Sequence, residues 1–188
     1  KYISGVQPSG SLHLGNYFGA IKQHIELQSK DSAYFIADYH ALTTIHDAKL
    51  LKKYTLEIAA AYFALGLDPI KCLFYKQSDI SEVTELAWIL STVVNTGVLE
   101  RCHAFKDKTE KGIPASLGLF SYPVLMAADI LLFDTECVPV GQDQIQHVEL
   151  AADIAGSFNA IVGKEILLKP KYRLTEAGCK VPGKDGQK

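Results

Sequence analysis

Ser4-Gly5-Val6-Gln7-Pro8-Ser9-Gly10-Ser11-Leu12-His13-Leu14-Gly15-Asn16 runs from a short apolar strand, through a turn rich in glycine and serine, into a helix. A helix starting at such a turn leaves its first N–H groups without partners, and together with the helix dipole they favour an anion. That points to a nucleotide phosphate. The spacing matches neither Gly-x-Gly-x-x-Gly nor Gly-x-x-x-x-Gly-Lys-Ser/Thr, so the two commonest nucleotide motifs are set aside. A plainer reading is also open, in which Ser9, Gly10 and Ser11 only cap the helix.

Outward from this stretch, strand-length apolar runs at 2–6, 33–38, 72–77 and 137–140 alternate with helical patterns at 14–28, 48–65, 82–95, 117–133 and 144–158. The alternation predicts an α/β fold, a parallel sheet covered by helices. Asp47 as N-cap and Gly66 at the exit mark the second helix, and Ser81 can cap the third. Residues 102–116 are polar and carry Lys106, Lys108 and Lys111, which predicts a mobile loop. Pro170, Gly178, Pro182, Gly183 and Gly186 predict loop over 169–188.

A chain of 188 residues suits one domain, and 48% apolar with 21% charged residues is ordinary for a soluble globular protein. Asp129 interrupts the longest apolar runs, so no membrane partner is expected. Cys72, Cys102, Cys137 and Cys179 show no Cys-x-x-Cys pair, which predicts neither a zinc site nor a disulfide framework and fits a cytoplasmic protein. His24, His46, His103 and His147 lack metal-ligand spacing and read as surface or packing residues, and no protein metal site is expected. The net charge of −2 argues against general nucleic-acid binding. From Gly156 onward, however, seven Lys or Arg face three acids. That basic end suits either phosphate or a solvated surface. Lys1 in place of Met predicts a trimmed start.

Two further stretches, Tyr122-Pro123-Val124-Leu125-Met126-Ala127-Ala128-Asp129-Ile130-Leu131-Leu132-Phe133 and Val138-Pro139-Val140-Gly141-Gln142-Asp143-Gln144-Ile145-Gln146-His147-Val148-Glu149-Leu150, complete the pattern. Asp129 lies mid-helix in an apolar run, where a carboxylate needs a partner: a ligand N–H, protein backbone, or a cation such as Arg101. With the first stretch, these strings resemble the class I aminoacyl-tRNA synthetases, in particular the bacterial tryptophanyl type, over residues 3–160.

The resemblance implies a Rossmann-like catalytic domain over 1–188 with a doubly wound parallel sheet, a helical insertion at about 78–134 that carries a homodimer interface, and a loop-rich tail at about 165–188. His13, Gly15 and Asn16 match the "HIGH" signature, with Asn in place of its last His. His13 and Asn16 would then donate to the ATP phosphates, and Gly15 would let adenine lie against the helix. Ser9, Gly10 and Gln7 would flank the nucleotide, and Gly141 and Asp143 would hold the ribose. Lys108 would reach the phosphates when its loop closes. Asp129 would accept from the indole N–H of L-tryptophan, beside Tyr122, Met126, Val138 and Val140. Gly5 would leave room for the substrate, and Gln7, His40 and Gln144 would surround its ammonium and carboxylate. ATP with Mg2+ is the implied cofactor, and the matching tRNA the implied partner.

The chain also departs from the family. Gln142 stands where bacterial members usually have Glu. The Lys-Met-Ser-Lys-Ser signature would begin at Lys188, so that loop and an anticodon-binding domain are expected to be missing from this chain. Three alternatives follow: a tyrosyl enzyme, which usually has Gln at the Met126 position; a nucleotidyltransferase outside translation; and a non-catalytic fragment.

Overall fold

Strand β1 (Tyr2–Val6) turns Ile3 and Val6 into the interior, and β2 (Ser32–Ile36) buries nearly every residue. In the computed structural model, which describes residues 1–102, 105–106, 115–141 and 144–174, β1 pairs in parallel with β2, and β2 with β3 (Leu73–Lys76). With β4 (Cys137–Val140) and β5 (Lys171–Leu174) they make a parallel five-stranded sheet of order β3-β2-β1-β4-β5. The sheet grows from β1 to one side, then restarts beside β1 with β4. In such sheets ligands bind beyond the carboxyl ends of the strands where the order reverses.

The chain divides into two units. The first holds residues 2–78, 139–142 and Leu174. Its helix α1 is continuous but uneven: Leu14–Asn16, a π-helical stretch Tyr17–Ile21, then Lys22–Glu26. The short α2 (Asp38–Ala41) follows β2, and α3 (Ala48–Ala64) leads towards β3. Asp47 caps α3 as expected, its carboxylate accepting from the Lys49 and Leu50 amides at 2.8 and 3.1 Å. Gly66 supplies the positive φ of 109° at the exit. Val6, Ile21, Tyr34, Ile36, Ile58, Tyr62, Leu67 and Cys72 form the core of this unit.

The second unit holds Lys1, 79–138 and 143–173, and is mostly helical. Helix α6 (Leu117–Leu131) packs between α4 (Glu82–Ser91) and α7 (Ile145–Val162), while the single-turn α5 (Thr96–Leu99) also touches it. The Ser116 hydroxyl caps α6 by accepting from Leu119 N at 3.2 Å.

Two elements differ from expectation. The helix predicted over 82–95 stops at Ser91, because the Asn95 side chain accepts from Gly97 N at 2.9 Å and starts α5 instead. Ser81 does not cap α4; its hydroxyl donates to the neighbouring Glu82 carboxylate at 3.3 Å. The tail predicted as loop contains β5, anchored where Lys171 N donates to Glu136 O at 2.9 Å. All four β5 residues are exposed, so no apolar alternation marked the strand. The parts of the predicted loops at 103–104, 107–114 and from 175 onward lie outside the described residues. Among the described residues, no helix is long and apolar enough to cross a membrane.

Candidate active site

The turn after β1 is closed by His13 itself and not by the serines before it. His13 has extended backbone, its Nδ1 accepts from Gly15 N at 3.1 Å, and its own N–H donates to Asn16 Oδ1 at 3.0 Å. This reciprocal box has a chemical consequence. With Nδ1 accepting, a neutral imidazole carries its proton on Nε2; with Oδ1 accepting, the Asn16 amide keeps its NH2 for another partner. Each side chain thus uses its acceptor on the backbone and retains a donor. A Cβ on Gly15 would stand 2.9 Å from the His13 ring, so glycine is what admits the cap. Gly10 has open space around it, and Ser9 is exposed in a turn where its N–H donates to Gln7 O at 2.9 Å.

At the carboxyl ends of β2 and β3, the short α2 is held by side chains the sequence did not single out. The Asp38 carboxylate accepts from Ser78 N at 3.0 Å and from the Ser78 hydroxyl at 2.6 Å, and Tyr39 N donates to Oε1 of the fully buried Gln77 at 3.1 Å. These bonds fix the backbone that carries His40. Gln7 reaches the same turn, its Nε2 donating to His40 O at 3.3 Å. Gln7 and His40 are therefore neighbours.

Gly5 is exposed in β1. It faces Phe35 in register, and a Cβ added there would lie 2.5 Å from the Phe35 ring. The space left by the missing side chain is filled by Phe35, which stacks on Tyr75 at a centroid distance of 5.5 Å. Only the Gly5 backbone is left to meet a ligand. Gly5→Ala should cost about 1–3 kcal/mol of stability by overpacking, read from the urea unfolding midpoint. An unchanged midpoint would refute this account.

In the second unit, Tyr122, Met126 and Asp129 fall on one face of α6 by their spacing, and Asp129 is only 1% exposed. Val138 and Val140 are both buried in β4. The Tyr122 hydroxyl lies 3.0 Å from His147 Nε2, with the rings edge-on. Burial pushes the Tyr122 phenol up to about 12, so the hydroxyl is neutral. His147 is buried at the start of α7. Gln144 is the residue from which that helix begins, and Gly141 follows β4. Lys108, Asp143 and Gln142 lie outside the described residues. Among the described residues, no three His, Cys, Asp or Glu side chains gather as a metal site.

The model of one protein family, tRNA synthetases class I (W and Y), matches residues 1–188. The chain is 54% identical over 189 residues to a tryptophan–tRNA ligase of Rhodopirellula baltica, and 56% identical to one of Campylobacter jejuni; each match covers 100% of this chain and 59% of the relative. A crystal structure of the Campylobacter jejuni tryptophanyl-tRNA synthetase, complexed with ADP and tryptophan, superimposes with a TM-score of 0.91 over 100% of this chain and 59% of that one. The chain spans about three fifths of the length of these relatives.

Proposed function

Because the chain belongs to the class I tRNA synthetases of the W and Y group, we propose that it is the catalytic part of a tryptophan–tRNA ligase. The observation that carries this reading is the buried Asp129 carboxylate on the α6 face it shares with Tyr122 and Met126. An indole offers one N–H and two apolar faces, which a carboxylate, a thioether and an aromatic ring would match.

In the first step, the carboxylate oxygen of L-tryptophan attacks the α-phosphorus of ATP. The bond from α-phosphorus to the bridging oxygen breaks, and pyrophosphate leaves as the Mg2+ complex that ATP brought with it. No protein nucleophile is needed, and the protein's task is to position groups and meet charge. The Nε2–H of His13 and the NH2 of Asn16 would donate to phosphate oxygens as charge moves onto the leaving group. Ser9, Gly10, Gly15 and Gly141 would line the nucleotide, Asp143 would accept from its ribose hydroxyls, and Lys108 would approach its phosphates. Gln7, His40, Gln144 and the Gly5 backbone would orient the amino acid, and Val138 and Val140 would wall its ring. In the second step, a ribose hydroxyl of the tRNA for tryptophan attacks the mixed anhydride and AMP departs.

We assign the helical segment at about 78–134 to a homodimer contact and the setting to the cytoplasm. Trp88 is 74% exposed and Leu117 78% exposed, with Ile89 also uncovered. Isolated large apolar side chains are common at surfaces, but a tryptophan this exposed favours a partner surface. Trp88→Ala should shift the protein from dimer to monomer in sedimentation velocity, and an unaltered dimer would reject the assignment.

The activity itself is tested by amino-acid-dependent exchange of pyrophosphate into ATP, in the full-length protein that carries this sequence. Exchange with tryptophan and not with tyrosine is expected. Exchange with tyrosine alone, or with neither, would overturn the reading.

A further inference from the structure

His147 has no role in the reaction just described, yet it touches a residue that does. It lies buried in the first turn of α7, one turn after Gln144. Its Nε2 is 3.0 Å from the Tyr122 hydroxyl, and the two rings meet edge-on, with centroids 5.4 Å apart and planes at 69°. These are two independent constraints on one side chain. The hydrogen bond fixes the position of the phenol oxygen, and the edge contact fixes the roll of the ring. A half-buried tyrosine without them would sample other staggered rotamers.

We propose that His147 is a positioning residue for the amino-acid site: it holds the Tyr122 ring as a fixed wall for the indole and engages the Tyr122 hydroxyl, so that Asp129 is the polar contact that α6 offers to an aromatic substrate. The inference rests on reading the Tyr122, Met126 and Asp129 face as the tryptophan site. His147 neither meets the substrate nor moves a proton in this scheme. A fixed wall binds ground state and transition state alike, so the effect of losing it belongs in KM and not in kcat. A second effect concerns selectivity. Releasing the Tyr122 hydroxyl gives the site a group able to bond a phenol, which narrows discrimination against tyrosine.

The test compares wild type, H147L, H147Q, Y122F and the H147L/Y122F pair in the full-length protein, by pyrophosphate exchange at varied tryptophan, tyrosine and ATP. H147L should raise the KM for tryptophan about tenfold, with kcat and the KM for ATP held within about twofold. H147Q should recover most of that loss, because its amide also reaches a hydroxyl. The double variant should be no worse than the poorer single one, since the bond is already gone. Should H147L not fold, Y122F carries the same expectation for the KM of tryptophan from the other side of the bond, without the narrowed discrimination against tyrosine, since it leaves no hydroxyl to release. The inference is overturned if the KM for tryptophan does not move. It is equally overturned if the KM values for tryptophan and ATP rise together in H147L and H147Q alike, with a falling melting temperature, which is what packing alone would produce. A wild-type protein that exchanges no tryptophan overturns the underlying reading before any substitution is made, so the two failures are distinguishable.

Discussion

Asp129→Asn should lower kcat/KM for tryptophan about 10²- to 10³-fold in pyrophosphate exchange while leaving the KM for ATP within about twofold. Asp129 is 1% exposed, and Val124, Ala127, Ala128, Ile130 and Leu131 around it in α6 are all buried. Desolvation makes an ionised carboxylate costly there, and a charge-assisted bond from an indole N–H is worth more there than in water. Asparagine keeps the volume and shape but offers a neutral oxygen, and its NH2 would oppose the indole N–H if the amide turned. The loss should therefore fall on binding and activation of tryptophan. A purely structural carboxylate predicts the opposite pattern. In that case the variant would lose melting temperature, and the kinetics for tryptophan and ATP would decline together. Specific loss with an unchanged melting temperature supports recognition; parallel decline would reject it.

The fold was legible in sequence where a change of hydrophobic period coincided with a local cap. Asp47 and Gly66 bracket α3 because their conformations are set within one turn. β5 was not legible, because an exposed edge strand carries no apolar alternation. The candidate site divides in the same way. His13, Gly15 and Asn16 lie within four consecutive positions, so their string could be read, but not that His13 caps the helix, a task usually given to Ser, Thr, Asp or Asn. Contacts made by chain return left no local trace. Tyr122 and His147 are separated by 25 positions and Asp38 and Ser78 by 40, and it is the packing of α6 on α7 and the alignment of β2 with β3 that join them. Gly5 shows the same limit: the ring filling its space belongs to the neighbouring strand and depends on register.

The first unit should lose about 3 kcal/mol of stability between pH 6.5 and 4 through one residue, His24. His24 is buried, its Nδ1 lies 2.7 Å from the Tyr62 hydroxyl, and its ring stacks on Tyr34 at 4.5 Å. Tyr34 and Tyr62 belong to the apolar core of that unit, and burial lowers the imidazole to about 4 from its ordinary 6.5. The folded pKa is thus below the unfolded one. Above pH 6.5 the ring is neutral in both states and exacts nothing. As pH falls through 6.5 towards 4, the unfolded chain takes up a proton that the folded core refuses, and stability declines. Below about 4 both states are protonated and this contribution stops growing. Urea unfolding at stepped pH should show that slope in wild type. His24→Phe keeps the stacking and removes the titration; it should flatten the slope, with a constant cost of about 1–3 kcal/mol for the stranded Tyr62 hydroxyl. Adding Tyr62→Phe should recover much of that constant cost, because both polar partners are then gone. An identical slope in wild type and His24→Phe would assign the acid sensitivity to other groups and refute the account of this core.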